Sequence, residues 1–165
     1  MTALRIAPAA ESDVPLILSF IRKLAEYEKL SHLVVATEEN IREHVFGSNP
    51  VAAVLLAYWA GEPVGFALYF RNFSTFLGQA GIYLEDLFVE PAHRGKGIGK
   101  ALLKRMAEIA VERGYGRLEW SVLDWNTPSI EFYRSLGAVP MDEWIRYRLT
   151  GQPLTRLALG DRSRT

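Results

Sequence analysis

The sequence predicts a mixed α/β fold in which strands and helices alternate, and three observations predict it. The chain has 165 residues, enough for one domain with a sizeable core. Apolar runs with the two-residue period of strands alternate with apolar positions at helical spacing. A basic, glycine-rich turn over residues 94–99 joins one such strand directly to one such helix.

The chain begins with the pattern of one strand and one helix. Residues 4–7 are typical of a strand, and Ser12 or Asp13 is suited to cap a helix that runs to about Lys29. The helix has apolar residues at helical spacing, namely Leu16, Phe20, Leu24 and Tyr27.

A short helix and three strands are expected next. The helix follows Thr37 and stops at Gly47. Residues 51–60 and 63–71 have the pattern of a hairpin, and residues 80–90 have the pattern of a third strand.

In the second half of the chain the apolar pattern predicts a further alternation of helices and strands. A helix runs from Gly97 to about Arg113, and a strand follows at residues 117–123. A short helix is expected at residues 128–136, and a strand or hairpin at residues 138–149.

The composition indicates the domain organisation and excludes several classes of partner and site. We expect one domain over residues 1–150 and a polar, loosely held tail over residues 151–165. Lys plus Arg and Asp plus Glu both number 19, so nothing favours nucleic acid or an anionic membrane as a partner. No membrane span or signal segment is evident, and cysteine is absent, so we expect a cytoplasmic protein without disulfides or a cysteine acyl-enzyme. The histidines are scattered and predict no metal site: His32, His44 and His93.

The glycine-rich turn has the chemistry of an anion site. The first amides of a helix lack intrahelical partners and lie at the positive end of the helix dipole. Gly95, Gly97 and Gly99 let a phosphate approach the backbone, while Arg94 and Lys96 add positive charge. The spacing matches neither the dinucleotide fingerprint nor a Walker loop. A simple helix-capping turn is the alternative.

Two acids interrupt the apolar strand that precedes this turn. Strand alternation predicts that Asp86 shares one face with Ile82, Leu84 and Phe88, and that Glu85 lies on the other face. A buried unpaired charge is costly, so each carboxylate must meet solvent, a partner or a ligand. Structural salt bridges are the alternative to a functional site.

A second constellation lies downstream, around a short helix. Thr127-Pro128 has the pattern of an N-cap followed by proline in the first turn, and Gly137 that of a C-terminal stop. Ser129 and Tyr133 are four residues apart and so share a helix face, and Asn126 precedes the same N-terminus. The alternative is that Asn126 is a cap and Tyr133 a core aromatic residue.

These motifs together resemble the GNAT superfamily of acetyl-CoA-dependent N-acetyltransferases. The resemblance rests on Arg94-x-x-Gly97-x-Gly99, on the Leu-Glu-Asp-Leu-Phe-Val stretch before it, and on Trp-Asn-x-Pro-Ser-Ile-x-Phe-Tyr after it. It covers roughly residues 4–149. The sequence is most similar to the branch of diamine (spermidine/spermine) and thialysine acetyltransferases, which Lys-Leu-Ala-Glu-Tyr-Glu at residues 23–28 also resembles.

The resemblance implies a fold and a set of site residues. The fold is a mixed, mostly antiparallel sheet, splayed in the middle and flanked by helices on both faces, and the family commonly forms homodimers. Tyr133 is implied as general acid and Glu85 as general base, directly or through water. The residues implied to bind acetyl-CoA are Leu87, Phe88, Val89, Arg94, Gly95, Lys96, Gly97, Ile98, Gly99, Asn126, Ser129 and Tyr133. The residues implied to bind the amine are Tyr27, Glu28, Glu85 and Asp86.

The acceptor and the reaction stay open between alternatives. A small-amine N-acetyltransferase acting by direct transfer in a ternary complex is the leading hypothesis. Its substrate is a polyamine or a lysine-like molecule, whose carboxylate would need a cation such as Arg71 or Arg146. A protein lysine or N-terminal acetyltransferase is the second hypothesis, and a non-catalytic acetyl-CoA-binding module is the third.

Overall fold

A computed structural model describes residues 3–160, and within them one five-stranded sheet has the order β1-β2-β3-β4-β5. Strands β1 to β4 pair antiparallel, and β5 lies parallel to β4. The sheet is therefore mixed and mostly antiparallel, as the resemblance implies. The strands are β1 Leu4–Pro8, β2 Ala53–Trp59, β3 Glu62–Ser74, β4 Gln79–Val89 and β5 Leu118–Trp120.

Helices lie between and after these strands. They are α1 Val14–Tyr27, α2 Glu38–Ile41, α3 Ile98–Glu112, α4 Thr127–Ser135 and α5 Gly151–Leu159. Helix α2 is capped by the Thr37 side chain and continues into a π-helical turn, Arg42–Phe46, that ends before Gly47. The predictions for α1 to α4, for the β2–β3 hairpin and for β4 are confirmed to within a few residues at each end.

Backbone contacts divide the chain after Leu123 into two compact units. The first unit contains the whole sheet and helices α1 to α3, and the second contains α4 and α5. The expectation of one domain over residues 1–150 stays a prediction.

Helix α1 covers one face of the sheet with aromatic packing. Its apolar positions recur every three or four residues and are buried against β2, β3 and β4. The Phe20 ring stacks on Phe66 at 5.6 Å and contacts Phe88 at 5.9 Å. Residues that alternate with these along the strands, such as Leu55 and Ala67, are buried as well, and α3 contacts every strand. Helix α3 therefore covers the opposite face.

A β-bulge interrupts β4 at Glu85. Consecutive residues of β3, Leu68 and Tyr69, pair with Asp86 and Leu84, which are two apart on β4. Glu85 is thus the extra residue in the ladder. Directly opposed residues of an antiparallel pair share a face, and Leu68 and Tyr69 point to opposite faces. Asp86 and Leu84 therefore lie on opposite faces.

The predicted alternation along β4 is wrong for this reason. Ile82 and Leu84 keep to one face, but the bulge moves Asp86 and Phe88 to the other face. Phe88 confirms the shift because its ring packs against Phe20 of α1. A one-residue insertion inverts the inside–outside pattern of every residue beyond it. Asp86 consequently lies on the face that α1 covers.

The C-terminal part also departs from the sequence predictions. Strand β5 has only three residues, and residues 138–149 form no strand within the described part of the chain. An apolar alternation produces a strand only where a neighbouring strand pairs with it, and these residues have no such ladder. Residues 151–159 of the predicted tail form α5, because leucines at helical spacing follow Gly151. The expectation that the tail is loosely held stays a prediction. The end of the tail, residues 161–165, lies outside the described residues.

Candidate active site

The parallel strands β4 and β5 separate at the C-terminal end of β5. Their pairing starts at Ile82 and Leu118 and ends at Leu84 and Trp120, whereas β4 continues to Val89. Along residues 85–89, the side of β4 that turns toward β5 therefore has no strand partner in residues 3–160. The predicted splay is confirmed. An extended chain could bind to this edge through backbone hydrogen bonds, as an added strand does.

The glycine-rich turn presents unpaired amides to solvent after Arg94, whose own amide donates to the Pro91 carbonyl at 3.2 Å. Gly95 and Gly97 have φ of +77° and +80°, the left-handed region that favours glycine. A Cβ at either position would meet nothing within 4 Å, so open space surrounds the backbone. The first intrahelical bond of α3 runs from the Ala101 amide to the Gly97 carbonyl, at 2.9 Å. The amides just before Ala101 are therefore available to an anion.

Aromatic rings hold both basic side chains of this turn. The Arg94 guanidinium lies 4.7 Å from the centre of the Tyr27 ring and 5.6 Å from that of Phe88. The Lys96 ammonium lies 5.1 Å from the Trp59 ring. Cations are attracted to ring faces, so the rings restrain both charges near the amides.

The carboxylates of Glu28, Glu85 and Asp86 lie beside the splayed edge, and the first two act electrostatically on the third. The pKa of Asp86 is raised from its ordinary 3.8 to about 7, first by burial and then by the negative charges of Glu85 and Glu28. Burial also raises the pKa of Glu28. Glu85 is exposed. Among the described residues none of these three acids forms an ion pair, so the salt-bridge alternative does not hold for them.

In the second unit, Asn126 organises the start of α4. Its Oδ1 accepts a hydrogen bond from the Ser129 amide at 3.4 Å, so Asn126, and not Thr127, is the N-cap. Gly137 has φ of +86° and ends the helix, as predicted. The Tyr133 ring contacts that of Phe132 at 5.5 Å. Asn126, Ser129 and Tyr133 thus belong to one capped helix of nine residues.

Comparison with known proteins identifies the family. Residues 20–138 match the acetyltransferase (GNAT) family. The chain belongs to this family. GNAT acetyltransferases use acetyl-CoA as the co-substrate, which agrees with a splayed strand edge beside a glycine-rich turn.

Relatives of this GNAT chain include small-molecule acetyltransferases. It is 40% identical to the thialysine N-epsilon-acetyltransferase of Mus musculus, over 96% of this chain and 99% of the relative. It is 34% identical to the L-ornithine N5-acetyltransferase NATA1 of Arabidopsis thaliana, over 91% and 86% of the two chains. An integron cassette protein from the mobile metagenome of V. cholerae has a similar structure, with a TM-score of 0.80 and 29% identity over 96% and 99% of the two chains.

The sequence did not predict a contact between Tyr83 and Ser121 near the splayed edge. Tyr83 stacks on Phe70 at 5.2 Å, and its hydroxyl lies 2.6 Å from the Ser121 hydroxyl. Tyr83 pairs at the last rungs before the splay, and by the β4 register it lies on the same face as Asp86. Tyrosine is common in strands, so the sequence carries no signal for this contact.

Of the two arginines considered for a carboxylate, Arg71 lies near Tyr115. Arg71 pairs with Ile82 in the ladder, and the guanidinium groups of Arg113 and Arg71 lower the pKa of the Tyr115 hydroxyl. Of the aromatic residues that follow Phe70, Phe73 and Phe76 are exposed toward the tip of the hairpin. Within residues 3–160, no helix is long and apolar enough to cross a membrane, and no group of three acidic, histidine or cysteine side chains is placed to hold a metal ion.

Proposed function

We propose that this GNAT protein transfers the acetyl group of acetyl-CoA to the terminal primary amine of a small polyamine or lysine-like molecule. The observation that carries the proposal is the group of three carboxylates, Glu28, Glu85 and Asp86, which have no cationic partner in the described residues and lie beside the splayed edge. An acceptor with one or two ammonium groups supplies the missing charge. The relatives named for thialysine and L-ornithine support a small acceptor.

The co-substrate is assigned to two features of the first unit and one of the second. The amides of residues 95–99 and the side chain of Arg94 bind the CoA pyrophosphate, and the backbone of Leu87–Val89 pairs with the pantetheine arm. Asn126 and Ser129 contact the CoA chain or its phosphates. Support for the first two assignments comes from the amides ahead of Ala101 and from the unpaired edge of β4.

The acceptor is assigned to the carboxylates. Asp86 and Glu28 attract the ammonium groups. Burial strengthens this attraction because charges interact more strongly away from bulk water.

The chemistry needs a base, an oxyanion donor and an acid. An alkylammonium has a pKa near 10.4, so it must lose a proton before it becomes a nucleophile. Glu85 takes that proton, through a water molecule, and the lone pair of the amine then attacks the thioester carbonyl of acetyl-CoA. A backbone amide at Phe88 or Val89 donates a hydrogen bond to the developing oxyanion. The oxyanion then collapses and the C–S bond breaks, Tyr133 donates its proton to the departing thiolate, and the second proton of the attacking nitrogen passes to solvent and restores Tyr133.

The proposal extends to assembly and location. Trp144 and Tyr147 are 70% and 90% exposed, an unusual exposure for large aromatic side chains. We assign them to the interface of a homodimer in the cytoplasm. Sedimentation of the wild type and of the Tyr147→Asp variant tests this, because a dimer held by this surface dissociates in the variant. A wild-type monomer would refute the assignment.

The decisive experiment measures thiol release from acetyl-CoA with a panel of amines. The panel contains spermidine, putrescine, thialysine, lysine, ornithine and a lysine peptide. We expect the highest kcat/KM with a free diamine or diamino acid. A preference for the peptide would favour a protein acetyltransferase instead, and CoA binding without any turnover would favour a binding module.

Variants connect this activity to the site. Glu85→Gln should shift the pH–rate profile to higher pH, because the amine must then lose its proton unaided. Glu62→Gln is the matched control, since Glu62 is an exposed acid at the start of β3. An unchanged profile for Glu85→Gln would place the base elsewhere.

A further inference from the structure

One side chain connects α1 to the glycine-rich turn. The guanidinium of Arg94 lies over the Tyr27 ring of α1, and it also contacts the Phe88 ring of β4. Its Nε donates a hydrogen bond to the carbonyl oxygen of Val89 at 2.9 Å. Two rings and one carbonyl thus hold an arginine whose own residue is exposed.

The contacts leave the phosphate-binding part of this arginine available. A guanidinium carries five N–H donors in a rigid fork, and the Val89 carbonyl uses only the Nε–H. Within residues 3–160, no hydrogen bond or ion pair uses the two Nη groups of Arg94. The Nη edge matches the geometry of phosphate oxygens. A cation that is already held in place loses less conformational entropy when it binds an anion.

Tyr27 therefore occupies a junction between two parts of the site. On one side its ring touches Arg94, and the next residue, Glu28, is close enough to Asp86 to raise the pKa of that carboxyl. Helix α1 is tied to the end of β4 a second time by an ion pair between Lys23 and Glu90. The sequence resemblance assigns Tyr27 to the amine, but its observed cationic contact is with the turn.

We propose that Tyr27 is a positioning residue for acetyl-CoA, and that its ring holds the Arg94 guanidinium in place for a phosphate group of CoA. This inference rests on the proposed function, in which the turn binds the CoA pyrophosphate. It differs from the role that the resemblance implies for Tyr27, because Tyr27 then acts on the co-substrate through Arg94 and not on the amine.

The test measures CoA binding by calorimetry with the full chain. The variants are Tyr27→Leu, which removes the ring, Tyr27→Phe, which keeps it, Arg94→Gln, and the double variant Tyr27→Leu/Arg94→Gln. We expect Tyr27→Leu to raise the Kd for CoA about 3- to 10-fold and Tyr27→Phe to change it less than about twofold. The double variant should bind CoA as weakly as Arg94→Gln alone, because the ring acts only through the arginine.

Kinetics and a second substitution separate positioning from a structural role. At saturating acetyl-CoA, Tyr27→Leu should leave the KM for the amine unchanged. Tyr27→Met fills a similar volume without a ring, so it replaces the leucine variant if that variant does not fold. If the ring merely stabilised the fold, its removal would lower the free energy of unfolding. The change in Kd for CoA caused by Tyr27→Leu would then add to the change caused by Arg94→Gln.

Several results would overturn the inference. One is an unchanged Kd for CoA together with a raised amine KM in Tyr27→Leu. Another is that Tyr27→Phe and Tyr27→Leu weaken CoA binding equally. A third is that the two substitutions of the double variant have additive effects on the Kd for CoA. An unchanged Kd in Arg94→Gln would instead remove the arginine from the CoA site. That result refutes this inference and leaves the proposed role of the turn amides standing, whereas a wild-type protein that binds no CoA would refute that role.

Discussion

Replacing Asp86 by asparagine should make the ligand-free protein more stable, and increasingly so as the pH rises. In the folded protein the pKa of Asp86 is raised from 3.8 to about 7, first by burial and then by the charges of Glu85 and Glu28. Between these two pH values the folded state holds a proton that the unfolded chain has lost. Stability therefore falls as the pH rises from about 4 to about 7, and it stays low above that range.

The magnitude follows from the width of this window. Each pH unit within it costs about 1.4 kcal/mol of unfolding free energy. The accumulated cost is roughly 1.5 kcal/mol at pH 5 and roughly 4 kcal/mol at pH 8. Asparagine has a similar shape and carries no charge, so Asp86→Asn escapes the cost. The stability gap between the variant and the wild type should widen by about 2.5 kcal/mol between pH 5 and pH 8.

Urea unfolding at several pH values measures this gap. The chain has four tryptophans, whose fluorescence reports the transition. Glu62→Gln is the control for removing an exposed carboxylate. A gap between Asp86→Asn and the wild type that stays constant from pH 5 to pH 8 would refute the reasoning, because it would mean that Asp86 ionises alike in both states.

Four further outcomes are expected. The KM of the amine should rise as the pH falls below about 7, by at most about tenfold per pH unit. The reason is that Asp86 then takes up a proton, which the ammonium group must displace in order to bind. The Asp86→Asn variant should show a flatter pH dependence of kcat/KM in this range. Tyr133→Phe should lower kcat roughly 100-fold while calorimetry finds the same Kd for CoA, and near-normal turnover would exclude the acid role. Gly97→Ala forces φ of +80° on a residue with a side chain, so urea unfolding should find a loss of about 1 to 2 kcal/mol without any steric clash. Phe66→Ala empties a fully buried position stacked on Phe20 and should cost about 3 to 5 kcal/mol in the same assay, whereas a loss below 1 kcal/mol would contradict the packing.

Much of the fold could be predicted because its signals are local. The capping side chain of Thr37, the stops at Gly47 and Gly137, and the apolar period of α1 depend on residues within a few positions of one another. The same holds for the glycine-rich turn, where Gly97 sits at the N-terminus of α3 as expected. The strand predicted at residues 138–149 failed because a strand needs a pairing edge from a distant part of the chain.

Parts of the candidate site could also be predicted, but only as residue types. Glu85 and Asp86 stand out as charges in an apolar strand, and Arg94 as a cation in a glycine-rich turn. The sequence did not predict which residues surround these charged side chains. The alternation rule assumes an unbroken ladder, and the bulge at Glu85 breaks it, so the face assigned to Asp86 was wrong. The resemblance implied that Tyr27 binds the amine, and nothing local in the sequence indicates its contact with Arg94, which lies on another element.

The sequence by itself determined the family and the order of helices and strands, since caps, glycines and hydrophobic period act over a few residues. It also determined which chemical groups are available for the reaction. Only the tertiary structure decided the face on which Asp86 lies, the raised pKa that follows from its burial beside Glu28, and the rings that hold Arg94. These properties depend on strand register and on contacts between elements far apart in the chain, where burial and charge act through space.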